Sequence, residues 1–134
     1  MEKLTEQIIA SAIEVHRTLG PGLLESAYEE CLAKELALRH IPFARQVPLS
    51  IEYKGTSIDF AYRMDLVVND SVVLELKTVE TLLPIHQVQL LTYLKLSGKN
   101  LGLLINFHVP LLKNGIKRIV NNYKKISATS ASLR

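Results

Sequence analysis

The stretch VVLELKTV, residues 72–79, sets a glutamate and a lysine two places apart in an otherwise apolar run of strand length. Its valines and leucines favour a strand. Glu75 and Lys77 are costly in such a strand, because a buried charge must be paired or neutralised. The residues on either side say what stands opposite them.

Upstream lies a second strand-like run, roughly residues 57–68, joined to the first by the turn cluster NDS (69–71). With Asn69, Asp70 and Ser71 as the loop, Val68 faces Val72, Asp65 faces Glu75 and Arg63 faces Lys77. This register gathers Met64, Leu66 and Val68 with Leu76, Leu74 and Val72 into one apolar face. A two-residue loop would mix charged and apolar positions across the ladder, which the pleat penalises. The hydrophobic pattern therefore brings two carboxylates side by side. They repel unless a proton or a cation intervenes. Hard divalent ions such as Mg²⁺ take carboxylate oxygen readily. Lys77 points to the same side as Glu75, placed to polarise a water or to offset charge on a phosphate. That is the equipment of metal-assisted phosphodiester hydrolysis. A satisfied charge network of Asp65, Glu75, Lys77 and Arg63 is the competing reading, and these residues alone leave it open. A second triplet, Glu52-Tyr53-Lys54, precedes Gly55 on an alternating strand and reads as solvated turn flank.

Beyond the quoted strand, Pro84 opens a helix that runs to about Ser97 and stops at Gly98. LGLLINF (101–107) is continuously apolar, as in a strand covered on both faces. Strand, helix and strand in succession predict a right-handed parallel crossover. A short strand is expected at 116–120. Before the hairpin, Val47, Leu49, Ile51 and Tyr53 alternate with polar residues in a half-buried strand. Two helical patterns come first, over 4–18 and about 23–39, separated by LGPG (19–22), which cannot continue a helix. The class is α/β or α+β: a mixed central sheet flanked by helices, with two N-terminal helices. One domain is expected over 1–120, with 121–134 as a polar tail that frays.

On the helix 84–97, HQVQLLTYL aligns His86, Gln89 and Tyr93 in a polar stripe, with Val88, Leu91 and Leu94 on the opposite side. Such a stripe is usually a wet face, though His86 and Tyr93 are unusual choices for one. Glu25 falls in the first turn of the second helix, where the dipole favours a negative charge.

Composition narrows the partners. The 134 residues carry a net charge of +3 and one cysteine, so disulfides within the chain and Cys-rich zinc sites are excluded. Cys31, among leucines and alanines, reads as a small core residue. His16, His40, His86 and His108 are too scattered for a zinc set. Lys113, Lys117, Arg118, Lys124 and Lys125 read as a solvated basic face, which tolerates a nucleic-acid partner without requiring one. No apolar stretch reaches the length of a membrane span. MEKLTEQII lacks the layout of a signal peptide, so a cytoplasmic location is expected.

GLLESAY (22–28) matches the G-x-x-E-x-x-Y signature of the GxxExxY family. Asp65, Glu75-x-Lys77 and Gln89-x-x-x-Tyr93 resemble the PD-(D/E)xK nuclease superfamily, to which that family is assigned. The similarity runs from about residue 4 to 120 and includes QVPL, LELKTVE, QLLTYLK and LLINF. Met64 stands where the superfamily's name-giving proline would be. The resemblance implies a restriction-endonuclease-like fold and a Mg²⁺-dependent nuclease, with Mn²⁺ as substitute, acting on DNA in preference to RNA. By the same analogy Glu25, Asp65 and Glu75 hold the metal and Lys77 assists the water. Gln89 belongs to the catalytic set, while Tyr93, Arg63 and Tyr28 support the site or bind substrate. A homodimer is plausible at this size. The alternative is a catalytically inactive nuclease-like module that binds nucleic acid or another protein.

Overall fold

The computed structural model describes residues 2–122, apart from the side chains of residues 60 and 61. Two helices, α1 (Glu2–Leu19) and α2 (Glu25–Leu38), precede the strands β1 (Phe43–Tyr53), β2 (Thr56–Val68) and β3 (Val72–Lys77). Helix α3 (Pro84–Ser97) leads to β4 (Leu101–Asn106), a short 3₁₀ turn (Leu112–Gly115) and β5 (Ile116–Val120). The strands form one sheet in the order β1-β2-β3-β4-β5. Every neighbouring pair is antiparallel except β3 and β4, which run parallel across the α3 crossover. The two layers of helices bury opposite faces of the sheet.

Alternation along the strands sorts the core into two clusters. Val72, Leu74 and Leu76 of β3, with Leu101, Leu103 and Ile105 of β4, pack with Ile8, Ala12 and Val15 of α1 and with Tyr28, Leu32 and Leu36 of α2. Val73 and Leu104 point the other way, onto Leu90, Tyr93 and Leu94 of α3. All six residues of β4 are buried, five of them as its apolar run requires and the sixth, Asn106, as a polar residue.

The β2–β3 register is the one the hydrophobic pattern selects: Val68 faces Val72, Val67 faces Val73 and Leu66 faces Leu74. Three expectations fail in detail. The ladder ends at Leu66 and Leu74, so Arg63 does not face Lys77; it lies exposed and pairs with Pro48 of β1. Met64 does not share the face of Leu66 and Val68 but packs in the α3 cluster. On α3 the buried residues are Leu90, Tyr93 and Leu94, while Val88 is 55% exposed and Leu91 is half-buried.

The first two failures share a cause. Gln46 holds a left-handed backbone (φ 50°), which reverses the pleat of β1. Phe43 packs toward the α1–α2 layer, but Val47 and Leu49 pack toward α3. Neighbouring β2 reverses with it, between Leu66 and Met64, and Asp65 sits at the reversal.

At the end of the sheet, buried Asn121 donates its backbone N–H to the Asn100 carbonyl at 2.8 Å and its side-chain amide to the Lys99 carbonyl at 3.0 Å. The packed chain thus extends past β5. Residues 123–134, the remainder of the stretch expected to fray, lie outside the described residues, and with them Lys124 and Lys125. No helix among the described residues is long and apolar enough to cross a membrane.

Candidate nuclease-like site

Asp65 and Glu75 meet where the β2–β3 ladder stops. The Asp65 backbone N–H donates to Glu75 Oε2 at 3.0 Å, and the Leu76 N–H donates to Asp65 Oδ2 at 2.9 Å. Each carboxylate thus satisfies a backbone donor of the other strand where ladder bonds would have been. The two acids form a reciprocal clasp, and no arginine among the described residues neutralises it. Arg63 forms no ion pair with either among the described residues, so the charge network offered as an alternative does not assemble.

Burial makes this pair unusual. Glu75 is only 6% exposed, and desolvation followed by the Asp65 charge pushes its carboxyl up to about 8. The Asp65 N–H and Lys77 pull it back only in part. Desolvation also raises Asp65, against the Leu76 hydrogen bond, with the Glu29 charge adding to the rise. Glu25 is exposed at the first residue of α2, yet packing on one side still raises its carboxyl. Lys77 lowers it and Asp65 raises it further, so Glu25 stands within electrostatic reach of both. Lys77 thus pulls down all three acids, but no ion pair joins it to them among the described residues. On the α3 side, burial raises the Tyr93 phenol, and the Glu75 and Asp65 charges raise it further. Gln89, half-buried, lines a cavity beside Tyr93.

Tyr28 serves from beneath. Wholly buried, it stacks on Phe107 with ring centroids 4.3 Å apart. Its hydroxyl donates to the Gly20 carbonyl and accepts from the Leu23 N–H. Gly20 and Gly22 both have positive φ, which the loop before α2 needs and which few other residues tolerate. Tyr28 therefore fixes the loop that delivers Glu25, and it does not itself face the acids. His86, the odd member of the polar stripe, accepts the Leu83 N–H at 2.9 Å and closes the start of α3.

Three participants escape a reading of the sequence. Glu29, one turn beyond Glu25, is buried; it accepts from Arg45 Nε at 3.1 Å and from Gln46 Nε2 at 2.7 Å. The i, i+4 spacing of Glu25 and Glu29 was the available signal. Gln46 also lowers Asp65 through its side chain, and nothing in QVPL announces its left-handed backbone. Asn106, one residue past the apolar run of β4, faces Lys77 in the parallel ladder. Its side chain donates to the Val79 carbonyl at 2.8 Å and accepts the Val79 N–H at 3.1 Å. This clamp holds the chain just beyond Lys77. Gly115 is required beneath it, because a Cβ there would lie 2.3 Å from the Asn106 carbonyl oxygen.

The donor set suits a hard divalent cation: the converging groups are carboxylate oxygens that burial and mutual repulsion leave short of positive charge. Among the described residues no three His, Cys, Asp or Glu side chains gather closely enough to hold an ion on their own. The fit is therefore to an ion held by one or two carboxylates, with water and substrate oxygens completing its shell. A larger cavity of about 590 Å³ lies at the other end of the strands, around Asn69, Asp70 and Lys99, and includes none of these acids.

A mixed sheet that carries paired acids and a lysine at one end, with helices on both faces, is a restriction-endonuclease-like frame. The family profile described as the PD-(D/E)XK nuclease superfamily matches residues 2–119, and the chain belongs to that superfamily. Its domain is nuclease-like, of a kind that typically uses divalent metals. The solved crystal structure of SSO0001 is similar in fold, with a TM-score of 0.58 at 20% identity, over 76% of this chain and 52% of that one. The chain thus spans about half the length of that protein. No curated protein matches the chain significantly.

Proposed function

We propose that this domain hydrolyses phosphodiester bonds in nucleic acid, DNA in preference to RNA, with Mg²⁺ as its ion and Mn²⁺ as a substitute. The carrying observation is the Asp65–Glu75 clasp, two desolvated carboxylates on paired strands to which no cationic side chain among the described residues is bonded. Asp65 and Glu75 are the ligands of this reading, and Glu25 is the third acid of the set. A bound ion supplies Lewis-acid stabilisation of charge on the phosphate oxygens. Lys77, on the Glu75 side of β3, donates hydrogen bonds to the attacking water or to a non-bridging oxygen. Gln89 and Tyr93 orient the substrate backbone from α3, and exposed Arg63 adds a contact to phosphate. A P–O bond forms to water as the ester P–O bond breaks, leaving a phosphate monoester and a hydroxyl.

The GLLESAY motif supports placing the chain in the GxxExxY branch of the superfamily. Residues 1–120 form the domain in this reading and 121–134 its tail. A cytoplasmic location and a homodimer complete it. The test is cleavage of labelled single- and double-stranded DNA and RNA with Mg²⁺ or Mn²⁺, by wild type and by Asp65→Asn and Lys77→Met. We expect metal-dependent cutting that both variants lose while remaining folded. If wild type at high concentration leaves every substrate whole, the catalytic reading fails.

One observation favours a second reading. Because no three ligating side chains converge among the described residues, the domain can be a binding module that keeps the fold without the chemistry. Salt-dependent nucleic-acid binding that ignores chelators and survives Asp65→Asn would select it.

A further inference from the structure

Beyond the acids, α3 and the outer half of the β1–β2 hairpin enclose a cavity of about 510 Å³, a size typical of small-molecule sites. Its lining gathers several exposed apolar side chains in one place. Ile85 and Val88 are 63% and 55% exposed, and Tyr62 is 47% exposed, so large apolar groups are held open to solvent. Tyr62 and Tyr93 meet at its wall with ring centroids 6.4 Å apart and planes 51° to one another. Gln89 and Thr92 bring an amide and a hydroxyl, which can donate and accept. No Lys, Arg, Asp or Glu lines it among the described residues.

A ring-walled cavity whose polar lining is the Gln89 amide, the Thr92 hydroxyl and the His86 imidazole, with no ammonium, guanidinium or carboxylate among the described residues, is poorly equipped for a phosphate or a charged peptide. It suits a flat, neutral body with apolar faces and hydrogen-bonding edges, which describes a nucleobase. The cavity neighbours the candidate site: Tyr93, one of its walls, packs in the same buried cluster as Met64 and Val73, which flank Asp65 on β2 and precede Glu75 on β3. A base lodged there would hold its own phosphodiester toward the acids. Bases within a duplex are stacked and paired, and enter such a cavity only by flipping out at a cost of about a few kcal/mol, which a single strand does not carry.

We infer that the cavity between α3 and the β1–β2 hairpin receives an unstacked nucleobase, which makes single-stranded nucleic acid the substrate class of this site. The inference rests on the nucleic-acid reading above, but it concerns binding and is tested without cleavage. In EDTA, fluorescence anisotropy on the full chain compares a labelled short oligothymidylate, an abasic oligomer of equal length and a duplex of equal length. The oligothymidylate should bind about ten-fold more tightly than the abasic oligomer, the contribution expected from stacking a base on an aromatic ring. Tyr62→Ala should remove that difference and Tyr62→Phe should keep it. The duplex should bind no better than the abasic oligomer.

Equal affinity with and without bases overturns the inference, as does a difference that Tyr62→Ala leaves intact. Sedimentation adds a further arm: a dimer of the free protein that Val88→Lys abolishes, and that oligothymidylate does not displace, would make this surface a self-interface and also overturn it. The two readings fail separately. Base-dependent binding without any cleavage supports the cavity and sinks hydrolysis. Metal-dependent cleavage with affinity indifferent to bases sinks the cavity and leaves hydrolysis standing.

Discussion

Replacing Glu75 by glutamine should stabilise the metal-free protein, increasingly so as pH rises. The glutamine keeps a carbonyl to accept the Asp65 N–H now bonded to Glu75 Oε2 at 3.0 Å, and it removes only the charge. In the folded chain burial and Asp65 push the Glu75 carboxyl up to about 8, against 4.5 for an ordinary glutamate. Between those two values the folded state holds a proton that the unfolded state has released. Unfolding free energy must therefore fall as pH rises through this window, and the loss is complete above the folded value. At roughly 1.4 kcal/mol per unit the ceiling is about 5 kcal/mol, reduced to the extent that the site opens and admits water. Urea unfolding followed by circular dichroism in EDTA, at several pH values from 4 to about 9, measures it. Wild type and Glu75→Gln should agree near pH 4 and diverge by several kcal/mol at the alkaline end. Excess Mg²⁺ should return part of the loss to wild type, about 2.7 kcal/mol at a hundred times Kd, and little to the variant. If the two curves run parallel across the range, Glu75 ionises as it would in water, and the claim of a strained buried acid is wrong.

Two other perturbations probe the supports of the site. Arg45→Met should destabilise by about 2 kcal/mol at neutral pH, because it leaves nearly buried Glu29 with only the Gln46 amide. Denaturant unfolding should show the loss restored in the Arg45→Met, Glu29→Gln double variant; a loss that persists would mean that Arg45 acts through packing. Asn106→Ala should cost about 2 kcal/mol by freeing both backbone groups of Val79. Hydrogen exchange at the Val79 amide should then accelerate while Leu74 stays protected, and equal acceleration at both would show global loosening instead.

Much of the fold is legible in the sequence because the hairpin encodes its own register. Val72, Leu74 and Leu76 reach the core together in only one alignment, and that alignment carries Asp65 to Glu75. The crossover helix and β4 are equally plain, since Pro84, Gly98 and an unbroken apolar run mark their limits. The pleat reversal is not legible. A left-handed glutamine leaves no compositional trace, and its effect on Met64 passes through a neighbouring strand. Tyr93 misleads for a different reason: a polar tip on an apolar ring can count as a wet face, although the ring is buried against Val73 and Leu104.

The same reversal accounts for why the acids meet where they do. Were β1 and β2 to continue their regular pleat, Gln46 would carry its side chain away from α2, and Glu29 would lose one of its two partners. Asp65 would also pair along the β2–β3 ladder in the ordinary way, and its carboxylate would not be needed by the Leu76 N–H. A left-handed non-glycine residue costs on the order of 1 kcal/mol and persists only where its surroundings over-determine it. Here the surroundings are the Glu29 carboxylate on one side and Asp65 on the other. Backbone strain at Gln46, backbone N–H groups of Asp65 and Leu76 turned from ladder partners to carboxylates, and the desolvated Glu75 carboxyl are thus linked features of a single local irregularity. An ordinary sheet would have no use for it, and the proposed ion site on Asp65 and Glu75 depends on it.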